Sequence, residues 1–149
     1  MATSRKFNFD VIKRNLEQTK RELPVVLAKQ TENYFTASFK KGALGDEKWP
    51  EVERRKIGTS AYKYPKTKGL SRRTSPILVR RGILRGRVSN SIRNANWNQI
   101  KLTVDLPYAM FLQEGTDTIP ARPFMKQTNE LATMQKSTIT KTMNRIWKV

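Results

Sequence analysis

The residues best able to do chemistry are Asp46-Glu47-Lys48, with Glu51 and Glu53 just after them. Carboxylates beside a lysine are the makings of a magnesium-dependent nuclease. Mg²⁺ takes oxygen ligands, and a bound cation stabilises charge developing on a phosphoryl group. Such a site needs a rigid element beneath its ligands, and the sequence offers a loop here. Asp105 with Glu114 is a second carboxylate pair, but against 30 basic residues in the chain an arginine partner is the simpler role. Neither cysteine nor histidine occurs. Their absence removes thiol nucleophiles, disulfides, Cys/His zinc centres and any Ser-His-Asp triad. No GxxxxGK[ST] phosphate loop and no GxGxxG is present. The expectation is no catalytic residue, no metal, no cofactor and no small-molecule substrate.

The second chemistry is electrostatic. Thirty basic and 12 acidic residues give a net charge of +18 over 149 residues, beyond the roughly 2–8 units of a typical small soluble domain. Such a charge attracts polyanions. From Arg54 to Arg93 there are thirteen basic residues and no acid, with Tyr62 and Tyr64 interleaved. Phosphate neutralisation with base stacking uses this combination. Lys63, Lys66, Lys68, Arg72, Arg73, Arg80, Arg81, Arg85 and Arg87 are the candidates for contact with DNA or an acidic partner. No base-reading motif is present, so binding to nucleic acid would be independent of sequence. A merely solvated basic loop is the competing reading.

The third stretch is 108–124, YAMFLQEGTDTIPARPF. Its first half reads as one or two helical turns stopped by Gly115. Its second half carries Pro120 and Pro123, which fix φ and hold the neighbouring backbone extended. Tyr108, Gly115, Ile119, Pro120, Arg122, Pro123 and Phe124 form either a fixed corner of the fold or a stiff tongue offered to a neighbour. A pre-ordered segment loses less entropy on binding. Arg122 is placed to pin the segment through a carboxylate or a carbonyl.

These features need elements to hold them. Residues 10–42 read as helix: Phe9, Ile12, Leu16 and Leu23 follow a 3.6-residue period, Asn8 or Asp10 caps the start, and Lys40, Lys41 and Gly42 suit the end. Pro24 is either a kink or the first residue of a second helix. Residues 43–76 read as a long basic loop punctuated by glycine and proline, with Trp49-Pro50 as an anchor and a short helix over 51–56. Residues 77–84 read as a short helix or turn. A β-hairpin follows, with strands over 88–92 and 99–106; Ile100, Leu102, Val104 and Leu106 alternate with polar residues, so one face is buried. Asn94, Asn96 and Asn98 make its turn. A last helix covers 127–147, capped at Thr128 or Asn129, with a stripe of Leu131, Met134, Ile139, Met143, Ile146 and Trp147. The fold class is α+β in a single domain over 1–149: a small antiparallel sheet packed by a long N-terminal helix, with a break allowed at Pro24, and a C-terminal helix. No run reaches the ~18 apolar residues of a membrane span. The polar, basic start has no apolar h-region, so synthesis in the cytoplasm is the default.

The order of these pieces resembles the tailed-phage virion-morphogenesis family, also called tail-completion or head–tail joining proteins. The resemblance rests on Ile77-Leu78-Val79-Arg80-Arg81-Gly82-Ile83-Leu84-Arg85, then the Tyr108-Ala109 to Gly115 element, then Ile119-Pro120-Ala121-Arg122-Pro123-Phe124, and it covers roughly residues 9–148. Two positions depart: Arg81 stands where the family has a small hydroxyl residue, and Leu112 where it often has histidine. The resemblance implies an α+β fold, no catalysis, and a structural place in the virion, in the neck or at the top of the tail, as a homo-oligomeric ring. Its partners would be portal, connector or tail-tube proteins, with non-specific contact to packaged DNA and none to a membrane. A sequence-independent nucleic-acid-binding protein is the alternative reading.

Overall fold

The computed structural model describes residues 8–64 and 71–147, without the side chains of residues 71 and 72. Lys66, Lys68 and the Arg72 side chain, named above as candidate contacts, lie outside the described residues.

One helix, α1 (Phe9–Lys41), runs 33 residues, about 50 Å at ~1.5 Å per residue. Its ends are set by local chemistry. The Asn8 side chain accepts from the backbone N–H groups of Asp10 and Val11, satisfying two of the orphan donors of the first turn. Gly42 closes the other end in the left-handed region, φ 68°, and its N–H donates to the Ser38 carbonyl at 2.7 Å. Pro24 starts no second helix. It is buried inside α1, which continues past it although a proline cannot donate to the carbonyl of Lys20.

The segment over 43–76 is not one open loop. A two-residue hairpin, β1 (Ala43–Leu44) and β2 (Glu47–Lys48), turns at Gly45-Asp46. A 3₁₀ turn at Glu53–Arg55 and the one-turn helices α2 (Ser60–Lys63) and α3 (Ser71–Thr74) follow. Helix α4 (Ile83–Val88) then carries Val88 into the core. The expected strand over 88–92 is therefore displaced: its start is the end of a helix, and β3 is Ile92–Ala95. Strand β3 pairs antiparallel with β4 (Ile100–Leu102), with an irregular register between Ile92 and Asn94. The asparagine turn is as expected, the Asn96 carboxamide oxygen accepting from the N–H groups of Asn98 and Gln99. Strand β4 is shorter than expected and Ile100 is exposed, while Leu102, Val104 and Leu106 pack against the core. Helices α5 (Ala109–Glu114) and α6 (Asn129–Ile146) complete the chain. The architecture is α+β. Among the described residues no helix is long and apolar enough to cross a membrane.

The core sits at the C-terminal end of α1. Phe35, Phe39, Leu44, Trp49, Ile77, Leu84, Val88, Ala109, Phe124 and Leu131 form one cluster drawn from α1, β1, α4, α5, α6 and the segments between them. Phe39 is its centre, 5.5 Å from the Trp49 ring edge-on and 5.9 Å from the Phe124 ring. Such pairs add about 0.5–1.5 kcal/mol each beyond the area they bury.

Helix α6 lies antiparallel on α1 along a largely polar seam. Tyr34 bonds Thr128 at 2.8 Å, Gln135 donates to Thr31, Thr138 donates to Gln30, and Asn15 donates to the Ile146 carbonyl. Thr128 also caps α6, accepting from the Leu131 N–H. Only part of the apolar stripe goes inward: Leu131 and Ile146 are buried, whereas Met134, Ile139 and Trp147 are exposed.

Candidate assembly site

Helix α5 stops at Gly115, whose φ of 82° and ψ of 175° lie where L side chains are rarely found. A Cβ at Gly115 would stand 2.8 Å from the Ala121 nitrogen, so the returning chain passes where a side chain would be. That return is heavily bonded. Thr116 and Ile119 exchange both backbone hydrogen bonds, and the Thr116 hydroxyl accepts from the N–H groups of Thr118 and Ile119. The Arg122 N–H donates to the Leu112 carbonyl at 2.8 Å. Gln113 does most: its Oε1 accepts from the N–H groups of Phe124 and Met125, and its Nε2 donates to the Met125 carbonyl. One side-chain amide thus stands in for a neighbouring strand.

Two bonds tie this clasp to the segment after β2. Trp49 Nε1 donates to the Pro123 carbonyl at 2.6 Å, and Arg122 Nε donates to the Pro50 carbonyl at 3.0 Å. Trp49-Pro50 is thus the anchor the sequence indicated. Arg122 pins the segment through a carbonyl. Burial lowers its guanidinium pKa from the ordinary value, and the Glu51 carboxylate acts in the opposite direction. Arginine keeps its charge at any pH of interest here.

The interface candidates divide. Phe124 and Arg122 are buried, at 3% and 6% exposure, and face their own core. Gly115 and Pro123 are half-buried. Tyr108, Ile119 and Pro120 present themselves to solvent. Within 108–124, Arg122 and Phe124 are thus framework, and the exposed Tyr108, Ile119 and Pro120 are what remains for a partner.

The basic candidates also divide. Arg73 stacks over Tyr62, 4.2 Å from the ring centroid, and donates to the Tyr62 carbonyl, so this aromatic is occupied within the chain. Arg54 donates to the carbonyls of Ser75 and Pro76. Arg55 pairs with Glu51, Lys56 with Glu53, and Arg93 with Asp105. Lys63, Arg80, Arg81, Arg85 and Arg87 are exposed, without an ion pair among the described residues. Tyr64 is 79% exposed, an open stacking surface beside Lys63.

Between α4 and α5 lies a groove of about 490 Å³. Its wall combines Leu78 to Leu84 from before and within α4, Tyr108 and Leu112 from α5 and its cap, and Arg122, with Val52 and Arg54 closing one side. Leu78 adopts φ 61° there, the one non-glycine residue with positive φ among the described residues. Gly82 turns the chain into α4 at φ 73°.

The acidic cluster is dispersed into surface pairs. Glu47 meets Lys126, and Glu51 and Glu53 meet Arg55 and Lys56. Among the described residues no three acidic side chains are grouped to hold a cation. Gln113 escaped the sequence reading; the available signal was an amide, able to donate and accept, two residues before a helix-ending glycine.

The chain matches no family model, no curated protein and no solved structure.

Proposed function

We propose that this chain is a non-enzymatic structural protein of a tailed-phage virion. In this reading it acts as a ring in the neck or at the top of the tail, where it completes the tail or joins head to tail. The observation that carries the reading is the groove: three segments of the resemblance, 77–85, 108–115 and 119–124, converge on one wall although up to 47 positions separate their ends. Motifs that meet in space over a shared surface form a unit, as an assembly module requires. The cross-bonded clasp beneath supplies rigidity, which reduces the entropy lost on docking.

A second reading, sequence-independent binding of nucleic acid, has its own support in Lys63, Arg85 and Arg87, which have no ion pair among the described residues, and in the exposed ring of Tyr64.

The test is assembly with Ile119→Asp, a change at an exposed position. With this variant as the sole source of the protein, separate heads and tails are expected in electron micrographs. Normal, infectious particles would overturn the reading. A purified wild-type protein that binds oligonucleotides with a steep salt dependence, and is dispensable for particle assembly, would favour the second.

A further inference from the structure

The groove between α4 and α5 has a mixed chemistry. Leu78, Val79, Ile83 and Leu112 give it an apolar lining, and Arg54, Arg80, Arg81 and Arg122 line it with positive charge; among the described residues no carboxylate lines it. Two of these arginines are already fixed, Arg54 on the carbonyls of Ser75 and Pro76 and Arg122 on that of Pro50. Arg80 and Arg81 are exposed, and neither has an ion pair among the described residues. Beside them Ile83 is 48% exposed and Tyr108 42% exposed, apolar surface in the same depression as uncompensated charge.

Three occupants can be weighed. Nucleic acid would satisfy the arginines and could stack a base on Tyr108, but the rest of the apolar lining, Leu78, Val79, Ile83 and Leu112, is aliphatic and offers no stacking face. A second copy of this chain has 12 acidic residues against 30 basic ones, so its surface offers few carboxylates to Arg80 and Arg81, whatever contacts hold copies together elsewhere in a ring. A peptide with carboxylates next to apolar side chains satisfies both parts. We infer that the groove docks an extended acidic segment of another protein, its apolar side chains against Leu78, Ile83 and Leu112 and its carboxylates on Arg80 and Arg81. The size of the groove suits a few side chains. Leu78, held in the left-handed region at the wall, is backbone strain of the kind that gathers at binding sites. The inference deepens the assembly reading and rests on it for the occupant's being a virion component; the chemistry of the segment follows from the groove alone.

The probe is a fluorescein-labelled decapeptide alternating glutamate and leucine, titrated by anisotropy with the full-length protein. A decapeptide of glutamate alone and a single-stranded oligothymidylate are run beside it. The Glu-Leu peptide is expected to bind at least about fivefold tighter than the all-glutamate peptide, because it also buries apolar surface. Ile83→Ser should weaken the Glu-Leu peptide by about fivefold and leave the oligothymidylate unchanged. Arg80→Ala with Arg81→Ala should weaken it by at least about tenfold. Circular dichroism checks that each variant is folded, and Arg80→Gln alone, with a smaller loss in the same direction, serves if the double variant is not. Equal affinity for the two peptides would overturn the proposal in favour of a general polyanion surface. So would an equal effect of Ile83→Ser on the oligothymidylate. Self-association that displaces the Glu-Leu peptide would overturn it in favour of a second copy. The two readings fail separately: normal particles from Ile119→Asp leave the peptide result standing, and loss of peptide preference leaves the assembly result standing.

Discussion

Residues 108–124 and the four arginines of 80–87 treat their polar groups in opposite ways. In the first, the amide of Gln113 and the guanidinium of Arg122 end on backbone of the same chain, and the indole of Trp49 reaches in to bond the Pro123 carbonyl. In the second, Arg80, Arg81, Arg85 and Arg87 end in solvent. Polar groups consumed inside the chain fix a shape, because leaving any of them unpaired in a buried site costs about 1–3 kcal/mol. Charges left open store no shape, and they set which partner is attracted and how fast it arrives.

Mutations that invade the clasp should act on folding, and those on the basic face on binding alone. The largest effect is expected from Phe124→Asp, which puts a carboxylate beside Phe39 at a position 3% exposed. The loss should exceed about 4 kcal/mol and leave the chain unfolded at 25 °C by circular dichroism. A cooperative native-like transition in urea would show the ring is not framework. Next is Gly115→Ala, where both the positive φ and the close Ala121 nitrogen oppose a side chain; about 2–4 kcal/mol is expected from the denaturation midpoint. Gln113→Ala removes three hydrogen bonds at once and should cost about 2–3 kcal/mol. A smaller loss there would mean that water replaces the amide and the clasp is looser than its geometry. Arg85→Ala with Arg87→Ala should change stability by less than about 0.5 kcal/mol, while the slope of log affinity for an oligothymidylate against log salt falls by about one to two units. A stability change as large as that of Gln113→Ala would erase the distinction between the two regions.

What the sequence made legible was decided within one turn of chain. Asn8, Gly42, Thr128 and Gly115 cap their helices from signals a few residues wide. Distant partnerships were not legible. Gln113 works on backbone 11 and 12 residues ahead, and buried Glu32 accepts from the Ser91 N–H 59 residues away. Nothing in the neighbours of Glu32 separates it from the surface acids of α1, since its local partner, Lys29, is an ordinary i,i+3 pair. The strand expected over 88–92 failed for a related reason. Val88 and Ile92 stand four apart, a spacing that suits a helix as well as a strand, and the burial of Val88 against the core decided it. The hairpin at 43–48 carried a short signal, Gly45-Asp46, but its strands are two residues each, too brief for alternation to register. At the candidate site the sequence marked a stiff segment and left its orientation open, because proline and aromatic content says that a segment is stiff, not which way it faces.

The seam between α1 and α6 has a consequence in time. The helices are neighbours in space, but residues 42–128 lie between them in the chain. A ribosome adding roughly 5–20 residues per second needs on the order of ten seconds to cross that interval. Through it, the face of α1 carrying Gln30, Thr31 and Tyr34 has no α6 to bond with. The first helix made therefore waits for the last, and a nascent chain cut short before α6 exposes the side of α1 that the finished protein closes.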